Sequence, residues 1–130
     1  MFRLFLLISL ALAACQKDES LSGYADPNAT YALIELNGAP FTASANIAFP
    51  EQGVVRGQGP CNSFTGRQSV PYPWIKIENI AATKRACHDL AAENAYFTAL
   101  QSMTLSEVLG NVLILSNDAG EEMVFRKVQP

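Results

Sequence analysis

Gly57-Gln58-Gly59-Pro60-Cys61-Asn62-Ser63-Phe64-Thr65-Gly66, answered downstream by Thr83-Lys84-Arg85-Ala86-Cys87, is the stretch on which the reading of this sequence turns. Three glycines and a proline within ten residues mark a chain reversal. Asn62 and Thr65 sit inside it. Short polar side chains there serve to cap main-chain N–H and C=O groups. The rival role is a polar lip around a ligand.

Outward from this region, short apolar runs alternate with turn residues. The run 31–36 stops at Asn37-Gly38, a turn pair. Residues 43–49 alternate and end at Pro50, and 53–58 carry Val54 and Val55 between glycines. Residues 74–78 place Trp74 and Lys76 on one face and Ile75 and Ile77 on the other. Residues 80–83 form a further short run. Residues 111–116 and 123–128 flank Asn117-Asp118-Ala119-Gly120 and read as a hairpin. One segment breaks the pattern. Residues 89–103 are rich in Ala, Leu, Glu and Gln, with no Gly, Pro or Val. They predict a helix with Leu90, Phe97 and Leu100 near one face and Tyr96 and Met103 beside it. About seven strands and one helix give an α+β, β-rich domain. Its sheet is small, curled and antiparallel, a partly open barrel with the helix packed on it.

The first residues are a leader. Arg3 precedes about ten apolar residues, too few to span a bilayer core, and the run closes Leu12-Ala13-Ala14-Cys15. That ending resembles the lipobox of bacterial lipoproteins. Residues 1–14 are then a signal peptide, and Cys15 becomes the lipidated first residue. Two or three acyl chains would hold the protein on a membrane, where one holds only weakly. Gln16 follows where lipoproteins kept at the inner membrane usually carry Asp. By that resemblance the chain is sorted to the inner leaflet of the outer membrane, facing the periplasm. Residues 15–30 are polar and read as a flexible tether, and 31–130 as the domain.

Loss of the leader removes Arg3 and takes the formal charge from −3 to −4. With so few cations the composition argues against nucleic acid and against electrostatic adhesion to anionic lipid. The 116 residues left make one domain with a modest core, which a covalent staple would help.

The paired motifs resemble the META domain, the family of HslJ-like lipoproteins. Its pattern is G-x-G-x-C-N-x-[FY]-x-G, an apolar strand, T-x-x-x-C, a helix, then a hairpin with a central glycine. All of these occur here in order, over about 31–127. Tyr31-Ala32-Leu33 stands where the family usually has Trp-x-Leu, and Pro60 where Gly is common. A Pro71-Tyr72-Pro73 bend precedes Trp74. The resemblance implies a barrel-like sheet with a helix at one side. It also implies an envelope location and a loose link to stress or antibiotic tolerance, but no established reaction. Within the motifs, Asn62, Phe64, Gly66 and Thr83 are the candidate binding residues.

With Cys15 acylated, Cys61 and Cys87 are the two cysteines left, the number one disulfide needs in an oxidising compartment. The closed loop holds 87 − 61 + 1 = 27 residues, and chain entropy then gives about 3.5 kcal/mol. Two rivals stand beside this pairing. Cys61, Cys87 and His88 are three potential metal ligands, but lack zinc-site spacing and a fourth ligand. Cys87-His88-Asp89 reads as a nucleophile, base and orienter, but adjacent residues seldom converge on one atom. Glu93 is expected solvated or paired with an arginine, and Trp74 and Tyr72 as core and rim.

The chain is therefore expected to be a non-catalytic envelope protein without a cofactor, tied to a membrane through Cys15. It would bind an apolar ligand or an envelope protein in the barrel interior or at its mouth near Phe97. The alternative is a pilotin-like or lysozyme-inhibitor-like module that inserts a loop into another protein.

Overall fold

The computed structural model describes residues 17–128. The expected signal peptide, 1–14, and Cys15 lie outside the described residues. The strands are β1 (Tyr31–Leu36), β2 (Ala39–Pro40), β3 (Asn46–Glu51), β4 (Gly53–Gln58), β5 (Ser63–Gln68), β6 (Glu78–Ala82), β7 (Leu105–Leu109), β8 (Val112–Ser116) and β9 (Glu122–Lys127). The helix α1 spans Leu90–Ser102. Eight strands follow the order β6-β5-β4-β3-β1-β9-β8-β7, and β2 folds back on β1 across the Asn37-Gly38 turn. Every pairing is antiparallel. The result is the expected fold class, a curled half-barrel with one helix.

The two ends of the sheet approach each other through the arm that leads into β6. Trp74 bridges Leu105, the Ile75 N–H donates to Thr104 O at 3.0 Å, and the Ser106 N–H donates to Pro73 O at 2.7 Å. The expected strand over 74–78 is thus a single bridge, and regular pairing begins at Glu78. Pro71 and Pro73 have no N–H to offer a ladder. The alternation still holds, with Ile75 and Ile77 buried. Trp74, however, is 58% exposed and is not core.

Inward side chains of β1, β3, β8 and β9 supply Tyr31, Ile47, Phe49, Leu113 and Phe125 to the core, all essentially fully buried. Tyr96 of α1 drops among them, its ring 5.8 Å from Phe64 and 6.5 Å from Phe125. Its hydroxyl donates to Asn46 O at 2.9 Å. Burial pushes that hydroxyl well above its ordinary pKa, so it stays a donor. The buried helix face is Glu93, Tyr96, Ala99 and Leu100, with Met103 just beyond the helix. Leu90, expected on that face, is 42% exposed.

Two strands fall outside the apolar pattern. In β5 the buried positions are Phe64 and Gln68, with Gly66 half-buried between them. In β7 the buried position is Ser106, while Leu109 is exposed.

The supposed tether is also different in its described part. Leu21 is fully buried at the start of a short 3-10 turn, Leu21–Gly23. Asp18 accepts hydrogen bonds from the Ser20 N–H at 2.9 Å, from the Ser20 hydroxyl at 2.5 Å and from the Ser22 hydroxyl. The Tyr72 N–H donates to Glu19 O at 2.7 Å, and Tyr24 stacks on Tyr72 at 4.4 Å. Serines that look like linker residues instead satisfy one carboxylate, and so let a single leucine reach the core. Residues 18–25 form a strap laid on the domain.

Two outcomes follow for the strap. Leu21→Ala should lower stability by about 2–5 kcal/mol in denaturant unfolding, whereas a loose tether would shift it by less than about 0.5 kcal/mol. Partial burial raises the Asp18 pKa, but the hydrogen bonds from Ser20 and Ser22 outweigh it and leave the group below its ordinary value. Its contribution is complete above the unfolded value of about 3.9 and fades as pH falls through the folded one. Strap protection in hydrogen exchange should drop only at strongly acid pH, and Asp18→Ala should lower it at neutral pH.

Candidate functional site

The Gly59–Asn62 turn joins β4 to β5 and is closed by the Gly59 N–H donating to Asn62 O at 2.7 Å. Asn62 follows as a 3% exposed residue with every polar atom engaged. Its amide nitrogen donates to Arg85 O at 2.9 Å and to Glu93 Oε2 at 2.7 Å. Its carbonyl oxygen accepts from the Thr83 hydroxyl at 2.9 Å and from the Arg85 N–H at 2.6 Å. Two donors and two acceptors are the full capacity of an asparagine side chain.

Glu93 is the partner sequence reasoning missed. Expected in solvent or beside an arginine, it is 3% exposed in the first turn of α1. Its Oε1 accepts the N–H groups of Cys61 at 3.1 Å and Asn62 at 2.7 Å, and Oε2 takes the Asn62 amide. These contacts make it a positioning group rather than a free acid. They also explain a glycine: a Cβ at Gly59 would lie 2.6 Å from Glu93 Oε1 and 3.1 Å from Phe97 Cζ. Only a residue without a side chain lets the turn come this close.

Cys61 and Cys87 are joined in a disulfide across the same junction, their Cα atoms 5.7 Å apart. A sulfur so bonded is neither a metal ligand nor a thiolate nucleophile. His88 and Asp89 next to it are exposed. Among the described residues no group of three or more His, Cys, Asp or Glu is placed to hold a metal ion.

The remaining candidates divide. Phe64 is buried, edge-on to Tyr96 and to Phe97 at 5.2 Å. Gly66 lies inside β5 opposite Val55 rather than in a turn, and Thr65 beside it is exposed. Thr83 is exposed, but its hydroxyl serves Asn62 and its N–H donates to Ser63 O at 3.1 Å. The structure therefore brings Cys61, Asn62, Thr83 and Cys87 together around Glu93, and assigns Phe64 and Gly66 to the sheet and its core.

A cleft of about 500 Å³ opens beside this clamp. One wall is the α1 row Leu90, Asn94, Phe97 and Gln101, and the other is Ile80, Ala82 and residues 83–86. The row follows helical spacing, one turn after another. Of the two residues expected on the core face, Leu90 walls the cleft instead, while Phe97 packs against the core and lines the cleft as well. Lys84 and Arg85 are exposed at its rim, and among the described residues neither pairs with a carboxylate. A second hollow of about 650 Å³ lies over the outer face of β3–β6, where Ala48, Arg56, Thr65 and Ala81 form one cross-strand row. The core side chains already named point into the barrel interior and are buried there.

The family model of the META domain matches residues 24–130. No curated protein matches the chain. Among solved structures, the chain is similar to a protein from Burkholderia xenovorans determined by NMR, with 18% identity and a TM-score of 0.65 over 78% of this chain and 83% of that one. It is also similar to a DUF4847 family protein from Bacteroides vulgatus, with 16% identity and a TM-score of 0.63 over 75% of this chain and 90% of that one. At such identities the likeness concerns the fold.

Asn62→Ala should destabilise the protein by at least about 1–3 kcal/mol, the cost of leaving buried polar partners unmatched. Replacing both Cys61 and Cys87 by serine should remove about 3.5 kcal/mol by the loop-entropy account. Because the two devices hold the same junction, the triple variant should deviate from additivity in chemical unfolding.

Proposed function

The chain belongs to the META domain family, and from that premise we propose that it is a non-catalytic, lipid-anchored envelope protein that holds an apolar ligand in the cleft along α1. The carrying observation is the cleft itself: an apolar wall of Ile80, Leu90 and Phe97 under two cations, Lys84 and Arg85, that pair with no carboxylate among the described residues. That arrangement suits a ligand with an apolar body and an anionic end, because apolar contact supplies affinity and the cations fix orientation. The polar signature residues that would otherwise be read as reactive are occupied in holding the fold. The anchor and the placement at the inner leaflet of the outer membrane rest on Leu12-Ala13-Ala14-Cys15 and Gln16, and a role in envelope stress on the family resemblance alone.

A second reading, insertion of a loop into a protein partner, is favoured by the β8–β9 turn. Residues 118–120 are exposed there, while Asn117 Oδ1 accepts the N–H groups of Ala119 and Glu121 at 3.0 and 3.1 Å. Native mass spectrometry of protein extracted from its own envelope separates the two, reporting a co-purifying small amphiphile or a polypeptide.

The cleft can be probed with anilinonaphthalene sulfonate, an apolar dye with an anionic group. Leu90→Asp should weaken its binding about tenfold or more, roughly 1.4 kcal/mol. Leu90 is already 42% exposed and opens the helix, where an acidic residue suits the dipole, so the fold should survive. Unchanged dye titration with Leu90→Asp would discard the cleft as the site.

A further inference from the structure

Three of the large apolar residues left exposed lie along one edge of the sheet, and that edge is where the chain returns towards Cys15. Trp74, 58% exposed, bridges Leu105 at the start of β7. Tyr72 lies further along, its hydroxyl accepting the Val108 N–H at 3.1 Å. Tyr24, 47% exposed, stacks on Tyr72, and Leu109, 53% exposed, stands at the end of β7, with the exposed Glu107 between it and Leu105 on the same face. Lys17 Nζ stands 5.9 Å from the centre of the Tyr24 ring.

Chain length makes this edge more than a scatter of exposed side chains. Asp18 is fixed by Ser20 and Ser22, and Leu21 is sunk in the core, so the strap is part of the rigid body from Asp18 onward. Cys15 is three residues before Asp18. A fully extended chain covers at most about 3.6 Å per residue, so a lipid on Cys15 lies within about 11 Å of Asp18. A body tied that closely to a bilayer must rest some face on it. The strap next to the tie carries Tyr24, and Tyr24 is stacked on the aromatic edge. Tyrosine and tryptophan, with an apolar ring and one polar atom, are the side chains that prefer the headgroup level of a membrane.

We propose that the β7 edge, with Tyr24, Tyr72, Trp74 and Leu109, is a membrane-docking face that seats the anchored domain on the lipid surface holding its Cys15 acyl chains. The proposal rests on lipidation of Cys15. The occupant is the bilayer itself: the short reach from Cys15 keeps the strap, and with it the Tyr24–Tyr72 end of this edge, near the lipid surface, and the row sets aromatic rings beside Lys17 as interfacial segments do.

Trp74 is the single tryptophan of the chain and therefore reports on this edge directly. The acylated full-length protein is reconstituted into vesicles of phosphatidylethanolamine and phosphatidylglycerol carrying brominated acyl chains. Trp74 emission should shift to the blue and fall about twofold or more with bromines near the headgroup, and less with deep ones, since interfacial rings sit at the headgroup level. Tyr24→Ser combined with Leu109→Ser should weaken the quenching while the protein still floats with the vesicles. Intact mass separates the two layers of the argument. A chain with the mass of bare polypeptide removes the anchor and the docking together. An acylated, vesicle-bound chain whose Trp74 is unquenched overturns the docking alone. A blue shift that grows with protein concentration and ignores bromine also overturns it, and assigns the edge to a second copy of the chain.

Discussion

The contact between Asn62 and Glu93 holds this molecule's parts in register. Three segments distant in sequence meet there: the turn after β4, residues 83–87 beyond β6, and the first turn of α1. Each arrives with main-chain groups that would otherwise be buried without partners. Glu93 takes two N–H groups of the turn, Asn62 takes the C=O and N–H of Arg85, and the two side chains bond each other. A buried polar cluster of this kind is favourable only when complete, and here the count closes: no buried side-chain nitrogen or oxygen among the described residues lacks a partner. The disulfide crosses the same junction and limits how far the pieces separate when the chain unfolds.

That constraint shapes what the protein has left to work with. Cys61, Asn62, Thr83 and Cys87 are polar or reactive residues gathered in one place, the usual look of an active site. Their atoms are spent on each other and on Glu93. The free chemistry lies one layer out, where residues 83–86, tied to the start of α1 through Asn62, and the outer row of that helix form the two walls of the cleft. A single 13-residue helix then serves both sides. Glu93, Tyr96 and Leu100 face inward, and Leu90, Asn94, Phe97 and Gln101 face the opening.

The sequence carried the fold class for a physical reason. Alternation in β1, β3, β8 and β9 is driven by burial of one face, and an element without Gly, Pro or Val between such runs has little alternative to a helix. β5 and β7 were illegible because their inward positions mix apolar with polar side chains or glycine: Phe64, Gly66 and Gln68 in β5, and Ser106 in β7. Gln68 is buried and accepts the Val70 N–H at 3.0 Å. Ser106 is buried with its hydroxyl donating to Pro73 O at 3.0 Å. The strap was hidden likewise, since one leucine among serines, Gly and Asp has the composition of a linker. The hydrogen bonds to Asp18, the burial of Leu21 and the main-chain bond from Tyr72 to Glu19 turn it into structure. The paired motifs located the junction, yet not Glu93, whose one visible signal is its place in the first turn of the helix that follows Cys87.

Phe97 shows why the helix face was misread. Its ring is edge-on to Phe64 at 5.2 Å and tilted against Tyr96 at 5.7 Å, so it belongs to the core by contact. Yet it also lines the cleft and stays partly exposed. Apolar periodicity treats every large apolar residue as inward and has no means of marking one that is shared. In a chain of this size a wholly separate binding pocket would need walls of its own, and the core is too small to spare them. Building the cleft against the back of a core residue avoids that. It also ties the two together: whatever occupies the cleft touches a ring that touches Tyr96. A ligand there should then raise the stability of the whole domain, as any ligand that favours the native state must.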